Sequence, residues 1–297
     1  MEIKAIAIVN RTATKPLKYT YDGMQINIRL DKKYQKGEQY KIYINYTAKP
    51  NELAKGGSEA IKDDKGLYFI NPLGKEKNKP TQIWTQGETE STSVWCPTID
   101  KPNQKCTQEF FLIVPSKYVT LSNGKLLQQQ KNADGTRTDY WKMDLPHSPY
   151  LFFIGIGDYA IIKDLYKGKE VSYYVEKEYA GVAKKIFGNT PEMIAFFEKI
   201  TGVSYPWSKY AQMTARDYVS GAMENTTATL HQESAQQDSR ELLDGNAWES
   251  TIAHELFHHW FGDYVTAKSW SNLTVNESFA NFSQVLWNEY KYGKDAG

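Results

Sequence analysis

The residues best placed for chemistry are His254, Glu255, His258 and Glu277. They form the string H-E-L-F-H, then 18 intervening residues, then the glutamate of N-E-S-F-A. Histidines four apart on a helix share one face and can grip one metal ion. Two neutral imidazoles and one carboxylate make a zinc set with a fourth position open for water. Glu255, beside the first histidine, can act as general base without ligating the metal. A plainer alternative is a surface helix that happens to carry histidines, with Glu277 a solvated first-turn carboxylate. Three of the chain's five histidines fall within six residues, which weighs against it.

Two helices must hold such a set. Ala247 to Gly262 has no proline or internal glycine and follows Asp244-Gly245-Asn246, a turn and helix start. Glu277 opens a second predicted helix to Tyr290, with Phe279, Phe282, Val285, Leu286 and Tyr290 at helical spacing. A third covers Pro191 to Thr201, with Thr190 as N-cap and Gly202 past its end. The first half reads as β. Met24, Ile26, Ile28 and Leu30 alternate with polar neighbours, as do Tyr40, Ile42, Ile44 and Tyr46. Further predicted strands are 3–9, 110–114, 139–143 and 151–156, with turns at Asn123-Gly124 and Ala133-Asp134-Gly135. Residues 49–65 and 74–79 read as polar loops. The expected fold class is α+β: a β-rich N-terminal domain over 1–160, then a mainly helical catalytic domain over 161–297.

Length and composition fit that division. A chain of 297 residues with 40% apolar and 14% aromatic content supports about two cores. Its 36 basic and 35 acidic residues give no electrostatic case for nucleic acid or an anionic membrane. No apolar run is long enough to span a bilayer, and Met1-Glu2-Ile3-Lys4 does not open a signal peptide. The sequence leaves the compartment open between cytoplasmic and periplasmic. Cys96 and Cys106 could pair as a disulfide or pack as thiols.

A further string, Gly221-Ala222-Met223-Glu224-Asn225, lies upstream. Alone it reads as a loop or edge strand with a satisfied glutamate. With H-E-L-F-H-H-W-F-G-D-Y-V-T and N-E-S-F-A it resembles the gluzincin aminopeptidases: the aminopeptidase N family, with the leukotriene hydrolase branch as sibling. Thr85-Gln86-Gly87-Glu88, with Trp95-Cys96-Pro97-Thr98-Ile99-Asp100, is a fourth match, most similar to bacterial members. The resemblance covers essentially the whole chain and implies a thermolysin-like catalytic domain. It implies zinc ligands His254, His258 and Glu277, with Glu255 as base. It implies that Glu224, seconded by Glu88, holds the α-amine of a peptide with a free N-terminus. Gly221 and Ala222 would offer backbone hydrogen bonds, and Met223 and Gln86 would border the pocket for the first side chain.

The chain departs from that pattern in places. Asn272 stands where members often carry an aspartate, which would weaken support for a histidine ligand. The family's oxyanion-stabilising tyrosine falls beyond Gly297, and strands of the N-terminal domain precede Met1. The expectation is therefore an internal fragment, missing N- and C-terminal parts, that catalyses poorly on its own. Two rivals are a thermolysin-like endopeptidase and a non-catalytic binding module that keeps its zinc. Glu224 and Glu88 argue against the first, and an intact Glu255 against the second.

Overall fold

The computed structural model describes residues 1–10, 13–53 and 56–297. Residues 54 and 55, inside the predicted 49–65 loop, lie outside the described residues. The N-terminal half is β throughout. Glu2–Val9 pairs antiparallel with Ile42–Thr47 and with Thr14–Pro16, around a small core of Ile6, Ile8 and Leu17. Cys106–Pro115, Thr136–His147 and Lys125–Lys131 form a three-stranded antiparallel sheet. Leu67–Ile70, Gln82–Thr85, Ile154–Gly157 and Val119–Ser122 form a four-stranded one. Three predicted strands start later than expected, the one read from Tyr40 at Ile42. Met24 sits in a turn closed on the Asp22 carboxylate, and Pro149–Leu151 is a short 3-10 turn, so the other two begin at Ile26 and Ile154. Cys96 and Cys106 are free thiols.

From Tyr159 onward a five-stranded sheet faces four helices. Its order is Tyr159–Tyr166, Lys169–Glu176, Tyr210–Ala215, Ala228–Gln232 and Ala222–Met223. The two central pairings are parallel and the outer two antiparallel. The helices are α1 (Ala183–Phe187), α2 (Thr190–Thr201), α3 (Glu249–Phe257) and α4 (Thr274–Tyr292). Tyr173, Phe187, Met193, Phe197, Leu256 and Trp287 meet between them in one apolar core. No described helix is long and apolar enough to cross a membrane.

Polar groups fix the register of α3 against α4. Glu249, buried at the start of α3, accepts hydrogen bonds from Trp287 Nε1 at 2.8 Å, Tyr292 Oη at 2.8 Å and Asn189 Nδ2 at 3.0 Å. Three donors on one buried carboxylate offset the cost of removing it from water. Ser283 Oγ adds a bond to the Ala253 carbonyl at 3.4 Å.

Three sequence expectations need correction. The motif helix is shorter than the predicted 247–262 and leaves His258 as its C-cap. Thr190 does not cap α2: its hydroxyl donates to the Phe187 carbonyl at 2.6 Å, and Asn189 holds the cap position. The apolar stripe of α4 is expected to lie exposed along Phe279, Phe282 and Leu286; Phe279 and Phe282 do, but Leu286 packs partly buried against the core. Gly202 does end α2, at φ +71°, where glycine carries no Cβ penalty.

Candidate active site

The last turn of α3 and the first turn of α4 bring the three predicted ligands together. His254 Nε2 lies 3.0 Å from His258 Nε2 and 3.3 Å from Glu277 Oε2, and His258 Nε2 lies 3.7 Å from Glu277 Oε1. The ring polarity of His258 is settled by its other nitrogen. Nδ1 meets the Phe261 carbonyl at 2.9 Å, so it must carry the proton and Nε2 presents a bare lone pair to the cluster. His254 Nδ1 is held by the Gln284 side-chain amide at 3.0 Å. Rotating that amide by half a turn exchanges its donor for its acceptor, which suits a histidine that turns Nε2 toward a metal. Asn272 plays no part: it is exposed and accepts from Ser269 Oγ at 3.1 Å.

Acids crowd the far side of His258. One ligand atom each from Glu224, Glu255 and His258 fall within 4.8 Å of one another. Glu224 and Glu255 are buried, and Glu255 Oε2 has no hydrogen-bond partner among the described residues. Burial first, then Glu224, Glu277 and Glu88, push the Glu255 carboxyl well above the usual range. Glu88 is partly buried; desolvation, then Glu224 and Glu277, lift its carboxyl in the same way. Burial acts against Glu277 too, but the hydrogen bond from His254 and the electrostatic influence of His258 and His254 outweigh it and lower its pKa. Carboxylates this close need positive charge among them to ionise together. Convergent lone pairs, an unpartnered buried carboxylate oxygen and excess negative charge together fit a divalent cation.

The remaining predicted residues lie on two segments, the Ala222–Met223 edge and the stretch after Gln82–Thr85. Ala222–Met223 is the edge strand of the five-stranded sheet, and the Gly221 carbonyl is engaged by Gln232 N–H at 2.9 Å. Gln86 is buried, donates to Met223 Sδ at 3.3 Å and accepts from the Tyr218 hydroxyl. Sequence spacing gave no hint of Tyr218, Gln284, Tyr150 or the residues under Glu224, which reach the site across the fold.

Under Glu224 the chain turns sharply. Thr227 has φ +67°, a costly backbone state for a β-branched residue. Its N–H donates to His259 Nε2 at 2.9 Å, and its hydroxyl accepts from Gly124 N–H at 2.8 Å and Lys209 Nζ at 3.1 Å. Thr226 is held by Asn123 Nδ2 on its carbonyl at 2.7 Å and by His147 Nδ1 on its hydroxyl at 3.1 Å. N-terminal residues thus set the turn that carries Glu224.

His147 makes that support sensitive to acid. Burial, then Lys105, push its pKa down to about 3, from the usual 6.5. Below pH 6.5 the unfolded chain gains a proton that the native chain refuses. The stability contributed by the neutral ring is therefore complete above pH 6.5 and erodes as pH falls toward 3. His147→Gln removes this titration. Between pH 7.5 and 5.5 the parent should lose about 1.4 kcal/mol more than the variant in urea unfolding. A pH-independent difference would mean that native His147 takes up the proton.

Comparison with known proteins places the sequence in a family. The family profile described as "Peptidase M1 N-terminal domain" matches residues 1–151, and the "Peptidase family M1 domain" profile matches residues 186–296. The chain is 33% identical to Tricorn protease-interacting factor F2 of Thermoplasma volcanium, over 73% of this chain and 27% of that protein. It is 31% identical to human glutamyl aminopeptidase, over 64% of this chain and 20% of that protein. It is 29% identical to human endoplasmic reticulum aminopeptidase 1, over 84% of this chain and 26% of that protein. The chain thus spans about a quarter of the length of the curated relatives it matches. With both profiles matched in order along the chain, and the N-terminal one alone over half of it, the chain belongs to peptidase family M1.

Proposed function

We propose that this chain carries the metal and amine-binding part of a zinc aminopeptidase that removes the N-terminal residue of peptides. The observation that carries the reading is the close approach of two acid groups on either side of His258. On one side His254, His258 and Glu277 converge. On the other, Glu224 and Glu255 are buried beside His258.

His254 Nε2, His258 Nε2 and a Glu277 carboxylate oxygen would hold the zinc, which supplies Lewis-acid chemistry at a scissile carbonyl. Glu255 Oε2, unpartnered and enclosed, takes a proton from the attacking water and passes it to the departing amine. Glu255 serves as a base only while positive charge offsets Glu224, Glu277 and Glu88, the neighbours that favour its protonated form. Glu224 and Glu88 replace the hydration that a substrate ammonium loses on entering the cleft. Met223 and Gln86 border the space beside that ammonium, with Gln86 fixed at both ends of its amide. Water exclusion strengthens each of these charge contacts.

This arrangement reads the free amine as well as the peptide bond, which separates it from a thermolysin-like endopeptidase. The zinc-loaded protein should cleave leucine 4-nitroanilide roughly a hundredfold or more faster, in kcat/KM, than its N-acetyl form, because acetylation removes a buried ammonium partner. Equal cleavage of the two would sink the exopeptidase reading and favour an endopeptidase.

A further inference from the structure

Glu224 and Asn276, the residue just before the third ligand Glu277, are joined through Tyr150 by a chain of hydrogen bonds whose direction is forced. Asn276 precedes Glu277 in α4 and is buried. Its Oδ1 accepts from the Ala267 backbone N–H at 3.0 Å. A backbone N–H can only donate, so Oδ1 must face Ala267 and Nδ2 must point the other way. Nδ2 meets the Tyr150 hydroxyl oxygen at 3.2 Å. That oxygen is 3.1 Å from Glu224 Oε1, and with Asn276 donating to it, the tyrosine proton is directed at the glutamate.

We propose that Tyr150 is a positioning residue for amine recognition: with Asn276 it orients the Glu224 carboxylate and keeps it a hydrogen-bond acceptor. This rests on the reading of Glu224 as the amine anchor. The geometry suits the task. Tyr150 is almost fully buried, and the Trp270 ring packs edge-on against it at 5.0 Å, so the hydroxyl has little freedom to turn away. Burial, then the charge of Glu224, hold its phenol well above the usual tyrosine range, so it remains a donor across the working pH. A donor from the protein side fixes one oxygen of Glu224, which leaves the rest of its acceptor capacity for an ammonium. The relay also ties the amine anchor to the helix that carries Glu277, so a shift of one is felt by the other.

Two hydroxamates provide the probe. Leucine hydroxamate and 4-methylpentanohydroxamic acid share the metal-chelating group and the side chain and differ in the amine. Their affinities for the zinc-loaded protein, read by titration calorimetry, give an amine preference that needs no turnover. The parent should prefer the amine compound at least tenfold. Tyr150→Phe should reduce that preference by roughly tenfold to a hundredfold, the range for a hydrogen bond to a charged group. It should keep one zinc per molecule and bind the amine-free compound within about twofold of the parent, since the ring itself is retained.

Asn276→Asp is the second variant. Aspartate still accepts from Ala267 but cannot donate to Tyr150, so the phenol turns toward it and offers Glu224 a lone pair. The amine preference should again fall. Simple charge addition predicts the opposite sign, because a new carboxylate near the cleft favours an ammonium. If the parent prefers the amine compound and either folded, zinc-bearing variant keeps that preference within twofold, the relay is wrong while the Glu224 anchor stands. If the parent shows no preference, the anchor fails and the relay with it.

Discussion

His258→Ala is expected to strip the zinc from this protein, and Glu255→Gln to leave it in place while removing most of the turnover. The two residues sit three apart in the same motif and both face the same cleft, so the contrast separates ligand from base. His258 is buried, its Nδ1 proton is committed to the Phe261 carbonyl, and its Nε2 lone pair meets His254 and Glu277. Alanine leaves one imidazole and one carboxylate. Losing a mere supporting partner of a ligand typically costs about 10–100-fold in affinity, so losing the ligand should cost more than roughly a hundredfold. Glu255 presents an oxygen without a hydrogen-bond partner among the described residues, and the proposed reading gives it no ligand role. Glutamine keeps its shape but cannot take a proton, and loss of general base catalysis typically lowers the rate by about 10²–10⁴. The check is metal content after dialysis against a weak chelator, together with kcat on leucine 4-nitroanilide. Zinc lost from Glu255→Gln but held by His258→Ala would reverse the two assignments.

The metal cluster was legible because its signal is local. Four-residue spacing puts His254 and His258 on one turn whatever the rest of the fold does, and Glu277 lies in the first turn of a helix with its own apolar stripe, which starts at Thr274, three residues before the predicted start. The half-buried strands were legible for a similar reason. Ile42–Thr47 alternates inside and outside because one face meets a core and the other meets solvent. Strands covered on both faces lose that alternation. Tyr210–Ala215 is buried at every position, and its polar members Gln212 and Thr214 are satisfied by Thr190 or His231 and by Gln236. Such a segment carries no period of two, which leaves the sheet under α3 and α4 invisible to alternation.

Boundaries and supports failed for a different reason: they depend on contacts distant in sequence. His258 ends α3 because residues 258–263 turn back on themselves, with Asp263 N–H on the His258 carbonyl at 2.9 Å. Thr190 has the chemistry of a cap, but the Phe187 carbonyl claims its hydroxyl. The family resemblance put Asn272 at a position that would support a ligand, only weakly as an amide, while Gln284, seven residues past Glu277, makes the contact. Tyr150 lies 126 residues from Asn276 and 74 from Glu224, a distance across which single-sequence reasoning has no signal.

Glu224→Ala should nearly abolish the advantage of a free amino terminus while leaving the metal untouched. Glu224 is buried beside Glu255 and His258, and its neighbours in the edge strand, Ala222 and Met223, are fixed by pairing to His231 and Leu230. An ammonium entering there has lost its water, and without Glu224 only Glu88 remains to compensate it. Removing one partner of a buried ion pair typically costs about 3–5 kcal/mol, or roughly 10²–10³ in kcat/KM for leucine 4-nitroanilide. The N-acetyl substrate has no ammonium to lose, so its slow cleavage should change little. Glu88→Ala should act in the same direction but more weakly, because Glu88 keeps some exposure and water can fill in for it. The pattern matters more than the size of either effect. A general distortion of the cleft would depress both substrates together, since both need the same zinc and the same Glu255. Only loss of a group that contacts the amine lowers one and spares the other. If Glu224→Ala slows the free and the acetylated substrate by the same factor, Glu224 shapes the cleft without touching the amine, and the ammonium must be held elsewhere.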